Sequence, residues 1–166
     1  MTDAKLPDAQ YGWEKGVTDL AAGLAGPDII YESGGMLGSL ISCSLGSLVI
    51  DNEMLGHARQ TVKGIEVAND SLSVEVIREV CLDGPGHFLG HAQTLARMNS
   101  EYVYPALGNR DSPDAWADAG RPDIREAARA RVREILAASP PLIPAAMEEE
   151  IARRFPIRCH HAPRGA

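Results

Sequence analysis

Apolar residues Trp13, Val17, Leu20 and Leu24 recur at spacings of four, three and four, the period of one helical face. The pattern predicts a helix over residues 8–25 with that face buried. Gly26 can adopt the left-handed conformation that closes a helix, and Pro27 cannot continue one. Gly12, Gly16 and Gly23 weaken the intrinsic propensity of the segment. Asp28-Ile29-Ile30-Tyr31-Glu32 then sets three consecutive strand formers between turn signals, and reads as a short, fully buried strand running into Ser33-Gly34-Gly35. Helix, strand and helix in succession is the rhythm of a parallel sheet. Residues 39–48 are small and apolar, with no clear period. From about 48 to 65, Leu48, Leu55, Ala58, Val62 and Ile65 line a second helical face, with Asp51, Glu53, Arg59 and Lys63 on the others.

Asn69-Asp70 reads as a turn, after which Ser73 can cap a helix over 74–82 that Asp83-Gly84-Pro85-Gly86 stops. His87-Phe88-Leu89-Gly90-His91 is either a short strand or the start of the next helix, over 93–99. Ser112-Pro113 is a cap followed by a first-turn proline, opening a short helix that carries Trp116 and ends at Gly120. Asp123-x-x-Glu126 has the form of a capping box, and Ile124, Ala128, Val132, Ile135 and Leu136 continue it as an apolar stripe. Pro140-Pro141 breaks the chain before a last helix over 144–154, and residues 157–166 read as a flexible tail. The sum is mostly helix with one convincing strand. A single buried parallel strand cannot satisfy its own edges, so either another chain completes the sheet or the sequence is part of a larger barrel.

Composition changes this picture only slightly. At 166 residues, 45% apolar and 23% charged, the chain has enough material for one ordinary domain. That is roughly two-thirds of the ~250 residues of a complete (β/α)₈ barrel. No window reaches the ~20 unbroken apolar residues of a membrane span. MTDAKLPDAQ has no apolar core after its lysine and is not a secretory signal, so a cytoplasmic protein is expected. A net charge of −7 argues against duplex nucleic acid as a partner. The charge is uneven: residues 1–120 hold 7 basic and 17 acidic side chains, residues 121–166 hold 9 and 6. The arginines of the second part alternate with glutamates, as on a solvated helix face. Cys43, Cys81 and Cys159 are few, odd in number and far apart, the usage of a reducing compartment.

Four residues are candidates for binding a small molecule. Glu32 ends the predicted strand and precedes Ser-Gly-Gly, a loop able to approach a ligand closely, and ligands gather at the carboxyl ends of parallel strands. The alternative is a carboxylate capping the next helix or pairing with a lysine. Tyr31 beside it offers an aromatic face, and aromatic faces together with carboxylates attract quaternary ammonium groups. His87 and His91 would share one face if their segment were helical. The zincin pattern needs a glutamate after the first histidine, and Phe88 stands there; packed histidines or neutral donors lining a pocket are the readings left. Cys159-His160-His161 has the composition of a metal tract without spaced partners to complete it. Metal is therefore not expected, and the glycine-rich loops match no nucleotide-binding pattern.

The run LAGPDIIYESGGMLGSLISCSLGSLVIDNEMLGHARQTVKG resembles the trimethylamine methyltransferase (MttB) family. The resemblance continues through LSVEVIREVCLDGPGHFLGHAQTLARMNSEYVYPALGNRDSPDAW and RPDIREAARARVREIL, and TDAKLPDAQ also looks like a family segment. It covers nearly the whole chain in several ordered blocks. It implies an α/β fold, the helix-rich C-terminal part of a (β/α)₈ TIM barrel over residues 1–156. The implied activity removes a methyl group from a methylated amine such as trimethylamine or glycine betaine. The acceptor is the Co(I) of a corrinoid carried by a partner protein. Archaeal members use pyrrolysine, and this sequence has only standard residues, as in the non-pyrrolysine members. The expected partners are the corrinoid protein and either an N-terminal half-barrel chain or a second copy of this one. Two other classes remain: a non-catalytic half-barrel acting as an assembly module, and a small metal-binding protein using His87, His91 and the Cys159 tail.

Overall fold

Helix dominates, and the computed structural model describes residues 1–156. Helix α1 (Ala9–Ala25) starts where Asp8 accepts a hydrogen bond from the Tyr11 N–H at 3.1 Å, satisfying one of the donors a first turn leaves open. It ends at Gly26, φ 76°, the residue type that adopts this conformation without a Cβ penalty. A two-residue antiparallel pair follows, β1 (Met36–Leu37) and β2 (Ser42–Cys43), with Met36 opposite Cys43 and Leu37 opposite Ser42. The turn between them holds Gly38, Ser39 and Leu40 all at positive φ. For the two non-glycine residues this costs of order 1 kcal/mol each or more. The strain is held by the N–H groups of Gly38 and Ser39, which donate to the carbonyls of Ala4 and Thr2 at 2.9 and 3.0 Å.

Helix α2 (Leu45–Lys63) begins with Ser44 accepting from the Ser47 N–H at 3.2 Å and packs against α1. Five further helices follow, α3 (Asn69–Leu72), α4 (Val74–Cys81), α5 (Ala92–Glu101), α6 (Pro113–Asp118) and α7 (Ile124–Ala138). Side chains tie them together locally. Gln93 on α5 donates to the Asp70 carbonyl at 2.9 Å, and Arg97 pairs with the Asp70 carboxylate. Glu53 on α2 accepts from the N–H groups of Ala106, Leu107 and Gly108 at 2.6, 2.7 and 2.9 Å, so one carboxylate gathers a whole loop. Ser112 caps α6 through the Ala115 N–H, with Pro113 in the first turn as its sequence predicts. The described chain divides into two compact units, one of residues 1–132 and a second beginning at residue 133. The described part of the second holds the end of α7 and helix α8 (Ala145–Arg154), where Arg153 and Arg154 pair with Glu150.

Three sequence expectations need correction. Residues 28–32 form no strand and are not buried: Ile29 is 79% and Tyr31 81% exposed. Among the described residues no neighbouring strand offers them a ladder, and isolated extended backbone has no reason to pair. The described residues accordingly contain no parallel sheet, only the antiparallel β1–β2 pair. The segment 87–91 is neither strand nor helix; α5 starts after it, with the His91 Nδ1 accepting from the Gln93 N–H at 3.1 Å as its cap. Most telling is α1, whose apolar stripe faces solvent, with Trp13 63%, Val17 62% and Leu24 62% exposed. Its buried residues are Tyr11, Lys15 and Asp19, and those of α2 are Ser47 and Asp51. The face that packs is the polar one.

The fate of the remaining expectations is mixed. The capping box at Asp123 is only half there: its carboxylate accepts from the Arg125 N–H at 2.7 Å and clasps the Arg125 guanidinium. That clasp holds the Asp123 carboxyl down at about 2 and raises the Arg125 guanidinium. Among the described residues no helix is long and apolar enough to cross a membrane. The Cys159-His160-His161 tract and the tail 157–166 lie outside the described residues.

Candidate functional site

After α1 ends, the chain runs through Tyr31 and Glu32 before turning back at Ser33-Gly34-Gly35. Glu32 sits at φ 64°, a left-handed conformation uncommon for a residue with a side chain, and both it and Tyr31 are exposed. The loop behind them is fixed from within. The Lys15 Nζ donates to the Ser33 carbonyl and lies 3.1 Å from the Asp51 carboxylate, with both side chains fully buried. The same Asp51 oxygen accepts the Gly35 N–H at 2.6 Å, and the other oxygen accepts the Tyr11 hydroxyl. Burial pushes the Tyr11 phenol well above its ordinary range, and the Asp51 charge beside it adds to the shift. Burial also raises the Asp19 carboxyl, partly offset by Lys15. A buried ion pair thus holds both ends of a three-residue loop, and that loop aims Tyr31 and Glu32 outward.

The second pair of candidates sits elsewhere. His87 and His91 line one cleft of about 330 Å³ together with Glu79 and Asp83, so they meet through a loop and not through a shared helical face. The His91 Nε2 lies 3.7 Å from the Glu79 carboxylate. Among the described residues no group of three or more His, Cys, Asp and Glu side chains is placed to hold a metal ion. Cys43 and Cys81 are free thiols on the surface.

What this arrangement offers chemically is a carboxylate next to an aromatic ring on an exposed, internally braced loop, plus two imidazoles on a small cleft. The first combination complements a cationic nitrogen carrying methyl groups. The bracing residues Tyr11, Lys15 and Asp51 escaped the sequence reading. Their signal was present as polar residues at i, i+4 on both helices, but polar spacing reads by default as a solvated face.

Comparison with known proteins converges on one family. The sequence matches the family described as "Trimethylamine methyltransferase (MTTB)" over residues 1–160. It is 32% identical to the glycine betaine methyltransferase of Desulfitobacterium hafniense (strain Y51) over 152 residues, 91% of this chain and 30% of that one. It is 37% identical over 136 residues to trimethylamine methyltransferase MttB of Methanosarcina thermophila, 81% of this chain and 27% of that one. To MttB2 of Methanosarcina mazei it is 38% identical, again over 81% of this chain and 26% of that one. The chain therefore spans between a quarter and a third of the length of these relatives. With nearly all of its residues inside the match, this chain belongs to the trimethylamine methyltransferase family.

Proposed function

We propose that residues 1–156 are the C-terminal part of a (β/α)₈ barrel that moves a methyl group from a tertiary or quaternary methylamine, such as trimethylamine or glycine betaine, to the corrinoid of a separate protein. The observation that carries this reading beyond family membership is the inversion of α1. Its polar side packs inward while Trp13, Val17 and Leu24 face outward, a surface suited to being covered by more of the same fold. The occupant is the N-terminal part of the barrel, because most of each relative's length lies outside the part this chain matches.

Within that assembly this chain holds the amine. The Glu32 carboxylate neutralises the cationic nitrogen, and the Tyr31 ring offers its negative face to the methyl groups. His87 and His91 line a second cleft, apart from Tyr31 and Glu32, as donors to the same class of small ligand. A cleft of about 330 Å³ suits a small ligand, so these residues fit the amine and not a corrin ring. When bound, the partner's Co(I) corrinoid supplies the nucleophile. The group that leaves is a neutral amine, tertiary from a quaternary ammonium and dimethylamine from protonated trimethylamine, so the work of these residues is orientation, desolvation and complementarity to the cationic form.

The test combines this chain with an N-terminal barrel segment and a reduced corrinoid protein, then measures dimethylamine from trimethylamine and dimethylglycine from glycine betaine by mass spectrometry. A demethylated amine is expected only when all three components are present. Glu32→Gln is expected to raise KM by about tenfold or more, the loss of one charge-assisted contact. No demethylated amine from a folded assembly would overturn the activity; an unchanged KM would overturn the role of Glu32.

A further inference from the structure

Tyr11, Lys15 and Asp19, each four residues from the next, form the buried face of α1, and Ser47 and Asp51 form that of α2 packed against it. Lys15 and Asp51 are fully buried and Asp19 is 5% exposed. Two carboxylates and one ammonium therefore share this interior. Ionising all three would bury one negative charge in excess, which is costly out of water.

The two carboxylates are not equivalent. Asp51 has donors on both oxygens: Lys15 and the Gly35 N–H on one, the Tyr11 hydroxyl on the other. Three donors favour its ionised form. The Asp19 Oδ2, in contrast, is buried and has no hydrogen-bond partner among the described residues. A proton on Asp19 removes the excess charge at the one carboxylate oxygen of the cluster that no donor satisfies. Burial pushes the Asp19 carboxyl up and the Asp51 charge adds to the rise, while Lys15, the Met1 amine and the Ser33 side chain pull it down. Tyr11 is the other titratable group of this face, and burial and Asp51 keep its phenol protonated.

The charge state of Asp19 bears on the loop through Lys15. The Lys15 Nζ serves Asp51 and also donates to the Ser33 carbonyl. Asp19 lies one helical turn along α1, a spacing at which side chains meet. While Asp19 is neutral, Lys15 answers only Asp51 and Ser33. Once Asp19 is ionised, a second carboxylate competes for the ammonium, and a neutral carbonyl is a weaker acceptor than either carboxylate.

We propose that Asp19 is a buried proton-binding site whose occupancy sets how firmly Lys15 holds the loop of Ser33, Gly34 and Gly35. With the proton bound the loop is held; with it released to solvent, Lys15 is drawn toward Asp19 and the loop slackens. The sign follows from linkage. A carboxyl raised on folding contributes stability that is fully present below its unfolded value and is lost as pH rises through its folded value. The proton site does not depend on the methyl-transfer reading; only its effect on Glu32, the residue before Ser33, rests on that reading.

The test is NMR of the full chain across pH, with urea unfolding in parallel. The Asp19 carboxyl carbon signal, assigned by its loss in Asp19→Asn, is expected to titrate above the ordinary value of about 3.9. The hydrogen-exchange protection factor of the Gly35 amide is expected to fall severalfold through the same midpoint, and to lose that step in Asp19→Asn. The gap between urea midpoints is expected to widen in favour of Asp19→Asn as pH rises. Asp28→Asn, at an exposed carboxylate outside the cluster, is expected to keep the parent's profile. An Asp19 carboxyl that titrates at or below the ordinary value would overturn the proton site, as would a gap between urea midpoints that stays constant or narrows with pH. A Gly35 protection factor that ignores the Asp19 step would overturn the link to the loop.

Discussion

Lys15 and Asp51 face each other at 3.1 Å with both side chains out of solvent, and each is the other's ion-pair partner there. Removing one partner from such a pair leaves an uncompensated buried charge, which costs roughly 3–5 kcal/mol. Lys15→Met is therefore expected to lower the unfolding free energy by that amount, measured by urea denaturation. The double variant Lys15→Met/Asp51→Asn is expected to recover much of the loss. The new amide oxygen still accepts from the Gly35 N–H and its NH2 can donate to the Tyr11 oxygen, while no charge remains to be buried. Equal losses in the single and double variants would show that the stability lies in packing and not in the charges. Unlike the ion pair, the Asp19 Oδ2 is buried without a hydrogen-bond partner among the described residues, so it contributes a cost to folding.

Among the elements, Gly35 combines a left-handed backbone with close packing. It sits at φ 76°, and an added Cβ would come within 3.3 Å of the Ser44 carbonyl and 3.2 Å of the Leu48 Cβ. Gly35→Ala is expected to destabilise by about 1–3 kcal/mol. Gly12→Ala, inside α1 with nothing within 4 Å, is expected to stabilise by up to about 1 kcal/mol. Thermal unfolding of the two variants checks both signs. Element limits were legible in the sequence because they are set locally. Asp8, Gly26-Pro27 and Ser112-Pro113 each satisfy or deny backbone groups within one turn. Which face of α1 packs was not legible, since the period of Trp13, Val17, Leu20 and Leu24 is the same whichever side meets a neighbour. The strand expected at 28–32 failed for a related reason: strand formers make a strand only where a partner strand supplies the ladder. Tyr31 and Glu32 were found by their chemistry and loop position, whereas their buried support depends on contacts between residues far apart in sequence.

For the whole molecule, the exposed stripe of α1 makes a prediction about association. The double variant Trp13→Glu/Val17→Glu replaces outward-facing apolar side chains and leaves Tyr11, Lys15 and Asp51 in place. Size-exclusion chromatography with light scattering is expected to show less self-association than in the parent chain. A co-expressed N-terminal barrel segment is expected to bind the parent chain and not the variant. Retained binding by the variant would move the docking face off α1. Discrete dimers of the parent chain alone would instead make a second copy the occupant.

The buried pair also has a polarity that the loop backbone imposes. The Ser33 carbonyl accepts and so needs a donor, which Lys15 provides; the Gly35 N–H donates and so needs an acceptor, which Asp51 provides. Exchanging the two charges would leave their mutual attraction intact and set each against the wrong backbone group. Descendants of this sequence can therefore lose the pair together, for two apolar residues, more readily than they can reverse it. A lysine on α1 and an aspartate on α2 would drift as a unit, in one orientation only.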